Sequence, residues 1–169
     1  MTQGSDPARL VVVCGLPGTG KTTVATEVAE RVGGRLLRTD VVRKELVSDP
    51  AYTDAETERV YRELLDRAGR TLAGGGSAVV DGTFRTADLR GRARETAAAA
   101  GADFRLVKVE CEEAVVRERI AAREDDESDA DFAVHRLLRE EFDPVADAGL
   151  VVDNSGDRET TRRRVHERF

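Results

Sequence analysis

Gly15-Leu16-Pro17-Gly18-Thr19-Gly20-Lys21-Thr22 fits the pattern of a glycine, four residues, a second glycine, a lysine and a hydroxyl residue. Glycines at this spacing let backbone N–H groups curl inward around phosphate oxygens, and a helix opening near Gly20 adds the positive end of its dipole. Lys21 is then placed for the β- and γ-phosphates of a nucleoside triphosphate, and the Thr22 hydroxyl for the Mg²⁺ that bridges them. Pro17, Thr19 and Thr23 complete the expected nucleotide-contacting set.

Two acids follow at places where strands should end. Asp40 is expected to close a strand and precede a helix bearing Arg43. There it could accept the proton of an attacking hydroxyl while Arg43 holds the acceptor, or it could simply cap the helix. Asp81 ends Ser77-Ala78-Val79-Val80-Asp81, and Gly82-Thr83-Phe84-Arg85 continues as a loop. Asp81 can serve Mg²⁺ or the acceptor, with Thr83 and Arg85 beside it, and Asp followed by Gly is also common turn chemistry. Arg119 and Arg123 stand four apart on one helix, side by side, where a polyphosphate would relieve their repulsion. The competing reading pairs them with Glu112, Glu113 and Glu118 as a solvated face.

The elements that must hold these residues alternate. Apolar runs at Ala8–Cys14, Arg35–Asp40, Ser77–Asp81, Phe104–Cys111 and Leu150–Asp153 read as strands. Helical patterns lie between them: from Lys21 to Gly33, over Val41–Val47, after the capping pair Thr53 and Glu56, from Thr86 to Gly101, and over Glu112–Arg123. Others follow from Asp129 to about Phe142 and from Ser155 or Asp157 to Phe169. This alternation implies an α/β sandwich around a mainly parallel sheet, in one domain over residues 1–169.

Composition narrows the function classes. The chain has 169 residues, 40% hydrophobic and 36% charged, with a net charge of -6 and only three lysines, Lys21, Lys44 and Lys108. An acidic surface argues against sequence-independent nucleic-acid binding, although a local arginine groove stays open, and no apolar run is long enough to span a membrane. A cytoplasmic protein is the expectation. Cys14 and Cys111 are expected to be buried and reduced, His135 and His166 exposed, and the aromatic residues, Tyr52 included, in or near the core.

With these motifs in this order, the chain resembles the small P-loop kinases that include phage polynucleotide 5′-kinase, chloramphenicol phosphotransferase, zeta-type toxins and gluconate kinases. The likeness rests on Gly15 to Thr22, Asp40 to Arg43, Val79 to Phe84, Arg119 to Arg123 and Val151-Val152-Asp153-Asn154-Ser155. It implies a three-layer P-loop fold with a five-stranded parallel sheet and a helical lid over about residues 112–142. It also implies ATP in the phosphate loop, Asp40 as base, Arg43 on the acceptor, Asp81 near the acceptor, Arg123 as lid arginine with Arg119 as a second candidate, and Asn154 near the adenine. The activity it implies is phosphoryl transfer to a hydroxyl of a small molecule. The alternatives are 5′-hydroxyl phosphorylation of a polynucleotide or nucleoside, and a nucleotide-dependent switch without an acceptor.

Overall fold

The computed structural model describes residues 6–122, 128–146 and 148–169. Among them five strands and seven helices alternate: β1 (Arg9–Cys14), α1 (Lys21–Val32), β2 (Arg35–Arg38), α2 (Thr39–Leu46), α3 (Asp54–Ala73) and β3 (Ala78–Asp81). They continue with α4 (Ala87–Ala99), β4 (Asp103–Glu110), α5 (Glu113–Ala121), α6 (Ser128–Glu141), β5 (Leu150–Asp153) and α7 (Arg158–Arg168).

All neighbouring strands are parallel, in the order β2-β3-β1-β4-β5. After β3 the chain crosses to the other side of β1, so the strand order reverses next to the central strand. In parallel α/β sheets that reversal opens a crevice at the carboxyl ends of the strands. The register brings the chemical residues to one level there: Arg38 and Val13 both pair with Asp81, and Cys14 pairs with Lys108.

Side-chain alternation on β1 divides the core. Leu10, Val12 and Cys14 face α3 and α4, packing with Leu64, Ala93, Val80 and Leu106. Val11 and Val13 face α1 and α7, packing with Val24, Val28, Val152 and Val165. Both faces being covered explains why β1 reads as an unbroken apolar run.

Helix starts follow the chemistry of their caps. Thr53 accepts from Glu56 N, Thr86 from Leu89 N and Asp157 from Thr160 N, at 3.2, 3.2 and 2.7 Å. The start of α2 departs from expectation. β2 stops at Arg38, so Asp40 lies in the first turn of α2 rather than at the strand end. Tyr52, expected in or near the core, is 72% exposed and lies under the Arg43 guanidinium, 4.7 Å from ring centroid to Cζ. Cys14 is buried, which pushes its thiol up to about 11, while Cys111 is only half-buried; both are free.

Candidate functional site

The phosphate loop runs from β1 into α1 with three glycines at positive φ: Gly15 at 152°, Gly18 at 82° and Gly20 at 85°. Space as well as φ demands glycine at two of them. A Cβ on Gly15 would stand 2.5 Å from the Val109 carbonyl oxygen, and one on Gly20 would stand 2.1 Å from Asn154 Nδ2.

At the foot of this loop the Thr22 hydroxyl donates to Asp81 Oδ2 at 2.8 Å. Lys21 Nζ folds back over the loop to donate to the Leu16 carbonyl at 3.1 Å. Burial lowers the Lys21 pKa, opposed by the charge of Asp81. Asp81 is itself buried, and desolvation pushes its carboxyl up against the Thr22 hydrogen bond and the charges of Lys21 and Arg38. An ammonium and a carboxylate out of water, with donors curled around an open centre, form a site that a magnesium polyphosphate would complete.

Asp40 faces the same crevice from the start of α2. Its Oδ2 accepts from Arg38 Nη2 at 2.7 Å and its Oδ1 from the Val41 N–H at 3.0 Å, each oxygen keeping a second lone pair. Arg43 does not face the crevice freely: it forms an ion pair with Glu56, bonds Thr57 Oγ1 at 3.3 Å and covers Tyr52. Glu56 also accepts from the N–H groups of Ala51 and Tyr52, so the arginine fastens the start of α3 to α2.

The loop after β3 is held from several sides. Gly15 N–H donates to the Thr83 carbonyl and Gly82 N–H to the Val13 carbonyl, so this loop and the phosphate loop brace each other. Phe84 takes φ 45°, unusual for a non-glycine residue, and its N–H donates to the buried Tyr61 hydroxyl at 2.9 Å. Arg85 pairs with Glu141 at 2.5 Å. Arg90 is buried and donates to the carbonyls of Phe84, Arg85, Asp143 and Pro144 at 2.7 to 3.3 Å.

On the other flank, Asn154 is buried and braces the phosphate loop. Its Nδ2 donates to the Thr19 carbonyl at 2.8 Å, and its Oδ1 accepts from the Thr161 hydroxyl at 2.7 Å. Arg119 reaches the same corner and donates to the Asn154 carbonyl at 2.7 Å. Of the three glutamates weighed as its partners, Glu113 is engaged with Arg136 and Arg139. Arg123, the expected lid arginine, lies outside the described residues.

Sequence reasoning missed His135. Expected to be exposed, it is 2% accessible: it stacks on Phe132, and its Nδ1–H donates to the Pro17 carbonyl at 2.7 Å, seating α6 on the phosphate loop. The spacing of Phe132, His135 and Leu138 marks the inward stripe of α6, with Phe142 just past its end, while Val134 and Leu137 point outward. Between α6 and the loop lies a cavity of about 330 Å³, lined by Gly15, Leu16, Thr19, Lys108, His135 and Phe142 among others.

Comparison with known proteins agrees with this architecture. The family model described as AAA domain matches residues 10–145. Uncharacterized protein Rv2004c of Mycobacterium tuberculosis is 34% identical over 165 residues, 89% of this chain. The chain spans only 32% of that relative's length. Among solved structures, a gluconokinase from Sinorhizobium meliloti shares 23% identity over 94% of this chain and 89% of its own, with a TM-score of 0.68. The Mycobacterium tuberculosis APS kinase in complex with AMPPNP and APS shares 21% identity over 96% and 98%, with a TM-score of 0.71. At those identities the likeness is one of fold: a five-stranded parallel P-loop sheet with helices over its strand ends.

Proposed function

The chain belongs to the AAA domain family, and on that premise we propose that it transfers the γ-phosphate of ATP to a hydroxyl of a small-molecule acceptor. The observation that carries this reading is the hydrogen bond between Thr22 and Asp81 at the base of a glycine loop, beside a second acid, Asp40.

The oxygens present suit magnesium. Thr22 Oγ1 and Asp81 Oδ2 are hard donors 2.8 Å apart, close to the spacing of neighbouring ligands around an octahedral ion held at about 2.1 Å. Among the described residues no group of three acidic, histidine or cysteine side chains forms a metal cage; a triphosphate bound there would supply further oxygen ligands. When bound there, the ion would screen charge that develops on the transferring group.

The protein's own groups do the rest. The loop N–H groups and Lys21 hold the phosphates, Lys21 exchanging the Leu16 carbonyl for a phosphate oxygen. Asp40 takes up the acceptor proton on an oxygen lone pair left free by Arg38 and Val41. Arg119, fixed beside Gly20, adds positive charge at the phosphate flank, and Arg123 remains a candidate for the same task. Thr83 and Arg85 bound the acceptor side. An acceptor carrying an anionic group would have to displace Glu56 to reach Arg43.

Support for a small acceptor comes from the net charge of -6 and from fold neighbours that are kinases by name, one holding AMPPNP and APS. The test is incubation with Mg²⁺, ATP and a metabolite extract, read by mass spectrometry for a product heavier by about 80 Da, the mass of an added HPO₃. D40N should abolish that product and leave ATP affinity within about twofold, because Asp40 touches the acceptor and not the nucleotide. Native turnover by D40N removes the base, and absence of affinity for any nucleoside triphosphate with divalent metal removes the function.

A further inference from the structure

Arg38 is the last residue of β2, in register with Asp81, and its guanidinium spans the two acids of the crevice. Nη2 donates to Asp40 at 2.7 Å, while Nε lies 3.8 Å from Asp81 Oδ2, too far for a hydrogen bond. Among the described residues, that Nε is the one buried side-chain nitrogen or oxygen without a hydrogen-bond partner. A buried N–H left unbonded is costly, so the conformation is held by its other edge, the bond to Asp40.

The consequence follows from asking what Asp40 would do unheld. It stands on the exposed start of α2, and among the described residues its side chain is bonded, apart from Arg38, only to the next backbone N–H. A loose carboxylate near hard oxygen donors is drawn to a divalent cation. An Asp40 recruited as a metal ligand could no longer take a proton from an acceptor.

The geometry points to Arg38 as a positioning residue that keeps Asp40 on the acceptor side and withholds it from the cation held by Thr22 and Asp81. This rests on the proposed roles of Asp40 and Asp81. Lysine is a poor substitute, since one ammonium lacks the planar fork that faces two carboxylates at once.

The test is the affinity for Mn²⁺ in the presence of AMPPNP, measured by electron paramagnetic resonance on the full chain as wild type, R38M, D40N and R38M/D40N. R38M should bind Mn²⁺ about tenfold more tightly, D40N should stay within about twofold of wild type, and the gain from R38M should vanish when Asn occupies position 40. Simple loss of a positive charge would tighten binding equally in both backgrounds. Equal gains therefore overturn the proposal, as does an unchanged affinity in R38M. Should R38M not fold, R38Q, shorter and uncharged, carries the same cycle with the same expectations. Failure of the base assignment is read separately, as phosphoryl transfer at the native rate by D40N. An inactive D40N with equal Mn²⁺ gains removes only the role of Arg38.

Discussion

Replacing Asn154 with alanine separates a residue that touches nucleotide from one that shapes the loop receiving it. Asn154 is 6% exposed, and its amide joins the Thr19 carbonyl to the Thr161 hydroxyl. N154A removes both bonds and strands the Thr19 carbonyl in a buried place, while the Thr161 hydroxyl can fall back on the Asp157 carbonyl at 3.4 Å. One orphaned acceptor, one weakened hydroxyl and a small void together cost about 2–4 kcal/mol. For a domain of this size that is a fall in melting temperature of roughly 5–15 °C. N154D should be worse, because its carboxylate would keep the Thr161 bond but set an anion against the Thr19 oxygen. Thermal melts, with and without a fluorescent ATP analogue, check both. If N154A melts within about 2 °C of the native protein yet loses nucleotide affinity, the brace is wrong and Asn154 contacts the nucleotide itself.

Two further outcomes follow. R90M should lose roughly 3 kcal/mol or more, since it leaves four carbonyls without their shared donor; urea unfolding measures the loss, and amide exchange in residues 142–146 should quicken with it. Tyr61, buried with its hydroxyl accepting from Phe84, has its phenol pushed by desolvation up to about 12. Because the folded value lies above the unfolded one, its contribution is intact below about pH 10 and is lost as pH rises toward 12. In a Y52F background, absorbance at about 295 nm should therefore report phenolate near the higher value while the protein is folded, and a transition near pH 10 in the folded protein would refute the assignment.

What could be read from the residues was whatever local geometry dictates. The glycine loop was legible because its positive φ values and its lysine and hydroxyl must stand at fixed offsets, and Asp81 because a strand end on a parallel sheet faces the crevice. The α/β alternation was legible for the same reason, since an unbroken valine run needs cover on both faces. The misplaced residues depend on partners far away in sequence. His135 looks polar on a charged helix, and only the docking of α6 on Pro17 buries it. Arg90 resembles any surface arginine until carbonyls 53 and 54 positions later turn toward it. Arg43 sits at the spacing expected of an acceptor ligand, yet Glu56 at the foot of the next helix claims it.

The phosphate loop is local in composition and non-local in construction. Its strand is flanked by β3 and β4, its first glycine leans on Thr83 and Val109, and its turn into α1 hangs on Asn154. A chain emerging from the ribosome would carry all eight loop residues long before it carried these supports. Nucleotide capture should therefore wait until β5 has docked, well after the loop itself has been made.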